Sequence, residues 1–367
     1  MTDLREKKII FFCTDIPDIK IANFFKKNGL KIYCFHTNLI SYFIGLFIFP
    51  KNFISKKKRL YKKNKKIDYL AKNNFANISG RLNVRECIDC YYATLNKLEI
   101  LNLDSSYVFF IPSGRHMHHQ AAKNFALNNQ IKTLYLNYSN IPGYIFLDPL
   151  GTDANSLIFK KPYILNKINP KKISYEKIIS KFKNIKKQQT KLPQQKRIFY
   201  LKFTKFIFFI ENYLQILLGT CSDRKVKKIF DKVNISNSKG ETIRKFQHKK
   251  FVFFPMQITT DIQILQNYKK KNIFLALKDA IQLAKKRGFP LYVKINPAEN
   301  NPNLVNKHLK NLKAKYPYNF YIISDKSVYE IINKCEFVIT VNSTVGLESI
   351  LNSKKVFFLG KSINFLL

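Results

Sequence analysis

Near the C-terminal end of the sequence, hydroxyl and amide side chains lie at the start of a predicted helix. Residues 341–348 are Val-Asn-Ser-Thr-Val-Gly-Leu-Glu, so that an apolar strand ends at Asn342 and a helix begins directly after it. Backbone N–H groups at a helix N-terminus bind anions, and Ser343 and Thr344 add hydroxyl groups there. Gly346 permits a close approach in the first helical turn. The pattern therefore predicts either a phosphate-binding turn or ordinary helix capping.

Two further apolar strands in the C-terminal half end in polar residues. The sequence Phe-Pro-Met-Gln-Ile-Thr-Thr-Asp-Ile-Gln follows the first strand at 254–263, and Asn-Pro-Ala-Glu follows the second at 296–299. The carboxyl ends of parallel strands lie at one edge of a sheet, where α/β proteins bind nucleotides. We therefore predict one nucleotide pocket at this edge. Its nucleotide- and phosphate-binding residues are predicted to be Gln257, Asp261, Gln263, Asn296, Glu299, Asn342, Ser343, Thr344 and Gly346.

In the N-terminal half, a turn rich in histidine follows a predicted strand and begins a helix. Its sequence is Ser-Gly-Arg-His-Met-His-His at 113–119. Arg115 is a candidate contact for an anion or an acceptor, and His118 is a candidate acid or base. Zinc is disfavoured, because neighbouring histidines in one turn seldom all bind one ion and no carboxylate lies nearby. We predict no metal site, since Cys87-x-x-Cys90 also lacks a second pair and is better explained by packing thiols.

The loop at 141–156, after the next strand, carries Asp148, Asp153 and Ser156. Its Pro and Gly residues are typical of turns, so the segment is predicted to be an irregular loop. Asp148 is a candidate catalytic carboxylate facing a cleft between two domains. Asp153 and Ser156 are candidate contacts for an anion or an acceptor. Plain turn formation is the alternative for both carboxylates.

The elements that must position these residues alternate between strands and helices, which favours an α/β class. Lys8 to Cys13, a helix that stops at Gly29, and Lys31 to His36 predict an opening β-α-β unit without the Gly-x-Gly-x-x-Gly loop of dinucleotide binders. At 367 residues, the chain exceeds one ordinary domain. We predict two Rossmann-like domains at 1–160 and 246–367, joined by a lysine-rich helical region at 161–245.

The chain carries 65 Lys and Arg against 23 Asp and Glu, a net charge of +42. Such a charge attracts nucleic acids, phosphorylated ligands or an anionic membrane surface. However, residues with A/T-rich codons, such as Lys, Asn, Ile, Phe and Tyr, crowd the sequence. Because no nucleic-acid-binding module is recognisable, a biased base composition accounts for the larger part of the charge. We expect no nucleic-acid partner, and a basic nucleic-acid-binding protein is the second alternative function.

The sequence also predicts where the protein acts. The N-terminus lacks the features of a signal peptide, and the most apolar run, Leu39 to Pro50, is about a dozen residues long where a span needs about 20. We therefore expect a cytoplasmic protein that is peripheral on the inner membrane. The segment from Arg197 to Leu218 mixes apolar residues with lysines. It predicts either a basic amphipathic helix lying on a membrane or an interdomain helix with its apolar face buried.

Taken together and in this order, these segments resemble the capsule polysaccharide biosynthesis family. Residues 342–348, followed by Val-Phe-Phe-Leu-Gly at 356–360, are similar to its Asn-Ser-Thr-x-Gly element. Residues 255–263 are similar to its Pro-Leu-Gln…Asp-x-Gln element. The turn at 115–121 resembles its Arg-x-x-His-x-x-Ala turn, and the loop at 142–156 keeps the spacing of its Pro-x-x-Ile-x-Leu-Glu-x-x-Gly…Ser segment.

The characterised members of this family are bacterial transferases that use CMP-Kdo and build the Kdo linker of lipid-anchored capsules. The resemblance implies a GT-B-type architecture, a CMP-activated sugar as donor substrate without a cofactor, and a lipid or polysaccharide acceptor. The capsule export machinery is a further expected partner, and the +42 charge with the basic-apolar run at 197–218 predicts contact with an anionic inner-membrane surface. Ser343, Thr344 and Asn296 are expected at the donor phosphate, and His118 and Asp148 at the reacting sugar.

Two positions depart from the family's pattern. The family usually has His-Pro where this chain has Asn296-Pro297, and Asn can donate a hydrogen bond but cannot carry a positive charge. Residues 135–141 lack the acidic residue and the Arg that the family usually has just before Pro142. A catalytically silent relative that binds a sugar nucleotide or a glycan in a capsule assembly complex is therefore the first alternative function.

Overall fold

The chain folds into two compact α/β units. The computed structural model describes residues 2–57, 61, 64–139, 143–167, 176–177, 180, 184, 207, 209–222, 242–243, 246–296, 299, 302–317, 320–323 and 326–361. The N-terminal unit draws its described residues from the ranges 1–139, 143–161 and 190–231. The C-terminal unit draws them from 162–189 and 232–367.

The N-terminal unit is built around a six-stranded sheet. Its strands are β1 (Lys8–Cys13), β2 (Lys31–His36), β3 (Asn52–Ile54), β4 (Tyr107–Pro112), β5 (Lys132–Tyr138) and β6 (Ile145–Asp148). They lie in the order β3-β2-β1-β4-β5-β6, and all pairs are parallel except the antiparallel pair of β5 and β6. From β1 the chain adds β2 and β3 toward one edge of the sheet, and it then returns to add β4, β5 and β6 toward the opposite edge. The topological switch point therefore lies between β1 and β4.

The helices of this unit connect its strands and cover its sheet. They are α1 (Thr2–Arg5), α2 (Ile16–Lys27), α3 (Leu39–Leu46), α4 (Lys65–Lys72), α5 (Phe75–Ile78), α6 (Val84–Ile100), α7 (Met117–Asn128), α8 (Leu157–Lys160) and α9 (209–218). Short 3-10 turns follow at Asp153–Asn155 and, within the C-terminal unit, at Pro162–Lys167.

The C-terminal unit contains a second six-stranded sheet, and this one is wholly parallel. Its strands are β7 (Thr242–Ile243), β8 (Val252–Pro255), β9 (Leu291–Lys294), β10 (Phe320–Ile323), β11 (Phe337–Thr340) and β12 (Lys355–Phe358). Their order is β12-β11-β8-β9-β10-β7, which places the switch point between β8 and β11. The helices are α10 (Ile262–Asn267), α11 (Ile273–Lys286), α12 (Pro302–Lys315), α13 (Val328–Lys334) and α14 (Thr344–Leu351).

Local sequence signals explain most of these boundaries. The strand β1 is an uninterrupted apolar run that is buried from Ile9 to Cys13, as expected for a parallel strand covered on both faces. Asn83 and Glu86 form a capping box that begins α6. Gly29, with φ of +87°, and Gly288, with φ of +75°, follow the ends of α2 and α11 and accept the left-handed backbone that terminates a helix. The predicted α/β class with two Rossmann-like domains is confirmed.

The loop predicted at 141–156 was wrong in part, because Ile145–Asp148 forms the edge strand β6. Of the helix predicted at 197–218, residues 207 and 209–218 are helical, and the rest, like most of the region at 161–245, lies outside the described residues. Within the described part of the chain, no helix is both long and apolar enough to cross a bilayer. Cys87 and Cys90 pack in an apolar cluster on α6, as predicted.

Candidate functional site

Four of the predicted nucleotide-binding residues form one hydrogen-bonded network at the switch point of the C-terminal sheet. Gln257 follows β8 and Asn342 follows β11, and the backbone N–H of Asn342 donates to Oε1 of Gln257 over 3.4 Å. The Gln257 amide donates to Asp261 (3.1 Å), whose other oxygen accepts from the backbone N–H of Gln263 (2.8 Å). The Asn342 side chain closes the ring with a 2.6 Å bond to Oε1 of Gln263. The carboxyl ends of β8 and β11 are thus held together where a parallel sheet binds its ligand.

The N-terminus of α14 lies directly beside this network. Ser343 is its N-cap, and the Ser343 hydroxyl accepts a hydrogen bond from the backbone N–H of Val345 (3.2 Å). The backbone N–H of Ser343 in turn donates to the hydroxyl of Thr340 (3.3 Å). The capping alternative from the sequence is therefore realised in the structure. Thr344 is exposed at the first helical position. A helix N-terminus favours an anion through its N–H groups and its dipole, so capping and phosphate binding are compatible here.

Packing requires a glycine at position 346, for a reason that the sequence pattern did not reveal. A Cβ at this position would lie 2.8 Å from Cε1 of Phe358 and 3.1 Å from Cγ2 of Thr340. The glycine thus allows the first turn of α14 to rest on β11 and β12. The close approach to Gly346 that the sequence predicted exists, and the groups that approach the glycine are the side chains of Phe358 and Thr340.

Glu299 ties together the loops that follow β8 and β9. Its carboxylate accepts both the backbone N–H (2.8 Å) and the hydroxyl (2.9 Å) of Thr259, and its own N–H donates to the carbonyl of Asn296 (3.1 Å). The side chain of Asn296 is partly exposed at the end of this loop. Thr259 was not singled out from the sequence, because nothing in a single Thr identifies a partner 40 residues away.

The histidine-rich turn of the N-terminal unit lies at the switch point of its own sheet, after β4. Ser113 and Gly114 have φ of +59° and +66°, and a Cβ on Gly114 would lie 2.9 Å from the ring of Tyr135. Positive φ at a non-glycine residue is uncommon and marks a turn held by its surroundings. Arg115 then forms an ion pair with Asp153, so two of the three predicted anion or acceptor contacts are brought together.

His118 is fully buried between α6 and α7. Its Nδ1 lies 2.6 Å from the hydroxyl of Thr94, which also lies 3.0 Å from the carbonyl of Cys90. His119 is buried as well, while His116 is partly exposed at the N-cap of α7. A substrate would meet His116 before His118.

Asp148 and Ser156 organise the loop in which they lie. Asp148 is 2% exposed, and its carboxylate accepts the backbone N–H groups of Leu150 (2.8 Å), Gly151 (3.1 Å) and Leu157 (2.8 and 2.9 Å). Ser156 is the N-cap of α8 and is also buried. These bonds hold the segment from Asp148 to Leu157 in one conformation, and the catalytic role predicted for Asp148 stays a prediction.

One buried carboxyl group at the N-terminal switch point was missed from the sequence. Asp18 accepts the hydroxyl (2.5 Å) and the backbone N–H (2.9 Å) of Thr14 and the backbone N–H of Asp15 (3.1 Å), at the carboxyl end of β1. Burial raises the pKa of Asp18 above its ordinary value, although these hydrogen bonds oppose the shift. The Thr-Asp-x-x-Asp pattern after the first strand was the available signal.

The predicted site residues thus form two groups. The nine nucleotide-binding candidates lie in the segments and first helical turns that follow strands of the C-terminal sheet. The other five lie after β4, at the end of β6 or in the loop between β6 and α8 in the N-terminal unit. Among the described residues, no three His, Cys, Asp or Glu side chains are grouped in a way that could hold a metal ion.

Comparisons with known proteins connect both units to one family. The sequence model of the family described as "Capsule polysaccharide biosynthesis protein" matches residues 111–364. No curated protein matches the chain. Among solved structures, the chain is similar to KpsC β-Kdo 2,7-transferase of Thermosulfurimonas dismutans, with 12% identity and a TM-score of 0.45 over 97% of this chain and 80% of that one.

Two further solved structures are similar at a lower level. The β-Kdo 2,4-transferase of the same KpsC gives 14% identity and a TM-score of 0.37 over 70% of this chain and 69% of that one. The UDP-GlcNAc 2-epimerase of Methanocaldococcus jannaschii, in complex with UDP-GlcNAc and UDP, gives 11% identity and a TM-score of 0.31 over 95% of this chain and 82% of that one. Because these structural similarities are weak, family membership rests on the sequence match.

Proposed function

Because the chain belongs to the capsule polysaccharide biosynthesis family, we propose that it is a glycosyltransferase that transfers a CMP-activated sugar, with Kdo as the first candidate. The acceptor is a lipid or a polysaccharide of the capsule. The observation that carries this proposal is the network of Gln257, Asp261, Gln263 and Asn342 at the switch point of the C-terminal sheet. Such switch points are where doubly wound sheets bind nucleotides.

In this proposal, the C-terminal unit holds the donor and stabilises the leaving phosphate. The N–H groups of the first turn of α14, with Ser343 and Thr344, meet the charge that develops on CMP as the bond to the sugar breaks. Asn296, partly exposed after β9, adds a neutral hydrogen-bond donor. Preorganised donors of this kind stabilise a transition state without reorganising when the charge develops. CMP is the leaving group of the donor substrate in this proposal, and no cofactor is required.

The N-terminal unit presents the acceptor in this proposal. Arg115, which pairs with Asp153, holds an anionic group of the acceptor in this proposal. His118 and Asp148 act as positioning residues, since one is bonded to Thr94 and the other to backbone amides. The acceptor hydroxyl must lose a proton, and Asp18 has the buried site and raised pKa of an acid-base group.

The proposal also includes a location and partners. A lipid-linked acceptor places the enzyme at the cytoplasmic face of the inner membrane, where the +42 charge favours an anionic leaflet. The product would pass to the capsule export machinery. A second candidate function is a catalytically silent sugar-nucleotide- or glycan-binding protein of the capsule assembly complex. Asn296 in place of His, and a segment at 135–141 without an acid or an Arg, favour it.

A thermal unfolding scan with a panel of nucleotides tests the proposal. CMP at 100 times its dissociation constant should raise the free energy of unfolding by about 2.7 kcal/mol, and UDP and GDP should act more weakly. If none of CMP, CDP, UDP and GDP shifts the transition, the sugar-nucleotide proposal fails. Hydrolysis or transfer of CMP-Kdo then separates the enzyme from the silent relative. Binding to nucleic acid with a steep salt dependence, without any response to CMP, would favour a nucleic-acid-binding protein.

A further inference from the structure

The helix α9 is inverted, with its polar residues facing the protein and its apolar residues facing outward. Glu211 and Gln215, one helical turn apart, are buried. Ile216 is 72% exposed and Leu217 is 67% exposed. The other exposed apolar residues of this helix are Phe209, Ile210, Tyr213, Leu214 and Leu218.

Specific contacts fix this orientation. Oε1 of Glu211 accepts the backbone N–H of Ile40 (3.1 Å) at the start of α3, where a negative charge is favoured by the helix dipole. After the helix, the carbonyl of Gly219 accepts the N–H of Lys57 (2.6 Å), and Cys221 packs in the cluster formed with α4, α6 and α7. Both ends of α9 are thus attached to the N-terminal unit through polar or buried residues. Its apolar side is left to the surroundings.

A second exposed apolar segment belongs to the same part of the unit. The helix α3, whose first turn binds Glu211, ends in an apolar run in which Phe43 and Leu46 are about half exposed and Phe47 is 92% exposed. Single exposed apolar residues are common on soluble proteins, but extended apolar surfaces mark interaction sites. We refer to the exposed apolar residues of α9, together with Phe43, Leu46 and Phe47, as the apolar surface.

Lysines lie next to both segments of the apolar surface, the one on α9 and the one on α3. Lys56 and Lys57 are exposed and pair with the chain directly after α9. Lys51 is exposed four residues beyond Phe47, and Lys26 reaches the carbonyl of Ile48 with its ammonium group (2.5 Å). An apolar helix face flanked by lysines is the arrangement by which proteins lie in the interface of an anionic bilayer. Long lysine side chains can keep their charge at the headgroups while the apolar residues enter the acyl region.

We propose that the apolar surface docks onto an anionic lipid bilayer, with α9 lying in the interface plane. The charge complementarity of the flanking lysines selects a lipid partner over a second copy of this chain, which would carry the same lysines and repel. The membrane location was part of the proposed function. The surface assigned to it here rests on burial and contacts in the N-terminal unit alone, so it stands or fails independently of the CMP site.

The chain contains no Trp, so a single introduced indole reports on one position. Leu217→Trp places the probe on α9, and Leu127→Trp is a matched control, because Leu127 is also 67% exposed, on α7 of the same unit. The purified full-length variants are mixed with phosphatidylcholine vesicles that contain or lack phosphatidylglycerol. We expect the indole emission of the Leu217→Trp variant to shift to the blue, and to be quenched by brominated acyl chains, only with the anionic vesicles. The emission of the Leu127→Trp variant should not change.

Paired substitutions test the two components of the docking surface. Ile216→Ser with Leu217→Ser should weaken sedimentation with anionic vesicles by at least about tenfold. Ile100→Ser with Leu127→Ser, which removes similarly exposed residues from α6 and α7, should leave it unchanged. Lys56→Gln with Lys57→Gln should weaken binding by roughly tenfold or more at low salt and by less at high salt.

Four outcomes would overturn the proposal. They are an absence of vesicle binding, equal binding to neutral vesicles, vesicle binding by the Leu217→Trp variant without a change in its emission, and a blue-shifted emission of that variant in lipid-free protein that sediments as a dimer. The last result would identify a second copy as the occupant. A CMP-induced thermal shift in lipid-free buffer is measured on the same samples. Its presence or absence judges the proposed function separately from the docking surface.

Discussion

The side-chain amide of Asn342 donates a hydrogen bond of 2.6 Å to Oε1 of Gln263, although 79 residues separate the two in sequence. The same oxygen of Gln263 also accepts the side-chain amide of Asn267. The bond links the loop after β11 to the helix α10 that follows β8. It therefore holds the two strand ends on either side of the switch point in one geometry before a ligand arrives.

The first prediction concerns Asn296, which stands where the family usually has His. A histidine there would contribute a charge-assisted hydrogen bond, about twice as strong as a neutral one. Removing one transition-state donor costs other enzymes about 10²–10³ in rate, so activity in this chain should be slow. We expect Asn296→His to raise turnover of CMP-Kdo by about tenfold or more while changing CMP affinity only modestly.

The matched control for this change is Asn296→Gln, which keeps a neutral amide and should give no increase in turnover. If wild type and Asn296→His are both inert with CMP-Kdo and a suitable acceptor, the silent relative is supported. If wild type is fast and Asn296→His is slower, the correspondence between Asn296 and the family's His is wrong.

The second prediction separates positioning from catalysis at Asp148. In Asp148→Asn, one acceptor oxygen is replaced by an amide that faces the N–H groups which the carboxylate now accepts. Hydrogen bonds to a charged group contribute about 1.5–3 kcal/mol, so the free energy of unfolding should fall by about that amount. Denaturant unfolding measures the change. Asp104→Asn is the control, because Asp104 accepts local bonds from Ser106 at the surface and should alter stability little.

A contrary result at Asp148 would be informative. If Asp148→Asn keeps the stability of the wild type but abolishes sugar transfer, the carboxylate acts at the sugar, as predicted from the sequence, and the positioning role is wrong.

The third prediction is a pH dependence of stability that arises at His36. Its Nε2–H donates to Asn52 (2.8 Å) in a fully buried site, and burial lowers the pKa of His36 from 6.5 to about 4. Between about pH 6.5 and pH 4, His36 is protonated in the unfolded chain but stays neutral in the folded state. The free energy of unfolding should therefore fall by about 3 kcal/mol as the pH drops from about 6.5 to about 4.

Chemical unfolding of wild type and His36→Gln across this pH window measures the effect. The variant should lose this part of the slope, while His308→Gln, at an exposed position, should retain it. A wild-type slope that His36→Gln leaves intact would assign the pH dependence to other groups.

The fourth prediction tests the packing reason for Gly346. In Gly346→Ala, the new Cβ would meet the ring of Phe358 at 2.8 Å, and overpacking of this kind costs about 1–3 kcal/mol. Thermal or denaturant unfolding should show that loss. Phe358→Leu should restore part of the stability when it is combined with Gly346→Ala, because it removes the ring. Failure of this rescue would mean that the glycine is required for another reason.

Much of the fold follows from the sequence because its signals are local. The uninterrupted apolar strands and the glycines after α2 and α11 fix most boundaries by themselves. The strand β6 was missed, because four residues between turn-forming Pro and Gly residues resemble a loop. Only its pairing with β5 makes it a strand, and pairing is not a local property.

The site residues were predicted unevenly for a similar reason. Polar residues after parallel strands must lie at one sheet edge, so the donor candidates could be placed in advance. The burial of His118 was not foreseen, although Ala121, Ala122 and Phe125 lie on the same face of α7 at helical spacing. That spacing was an available signal of burial. For α9, amphipathic spacing reveals two faces but does not show which one faces the protein, and the bond of Glu211 to Ile40 decides it.

The most direct test of the central claim, that CMP-sugars bind at the switch point of the C-terminal sheet, is a calorimetric titration of CMP. Three proteins are compared: wild type, Asn342→Ala, and Asn352→Ala, which removes an Asn from the other end of α14, where it bonds to Glu348 (2.6 Å). Losing the Asn342 bonds should weaken CMP binding by about tenfold or more, whereas Asn352→Ala should bind like the wild type. No binding of CMP to the wild type, or equal affinity in all three proteins, would contradict the claim.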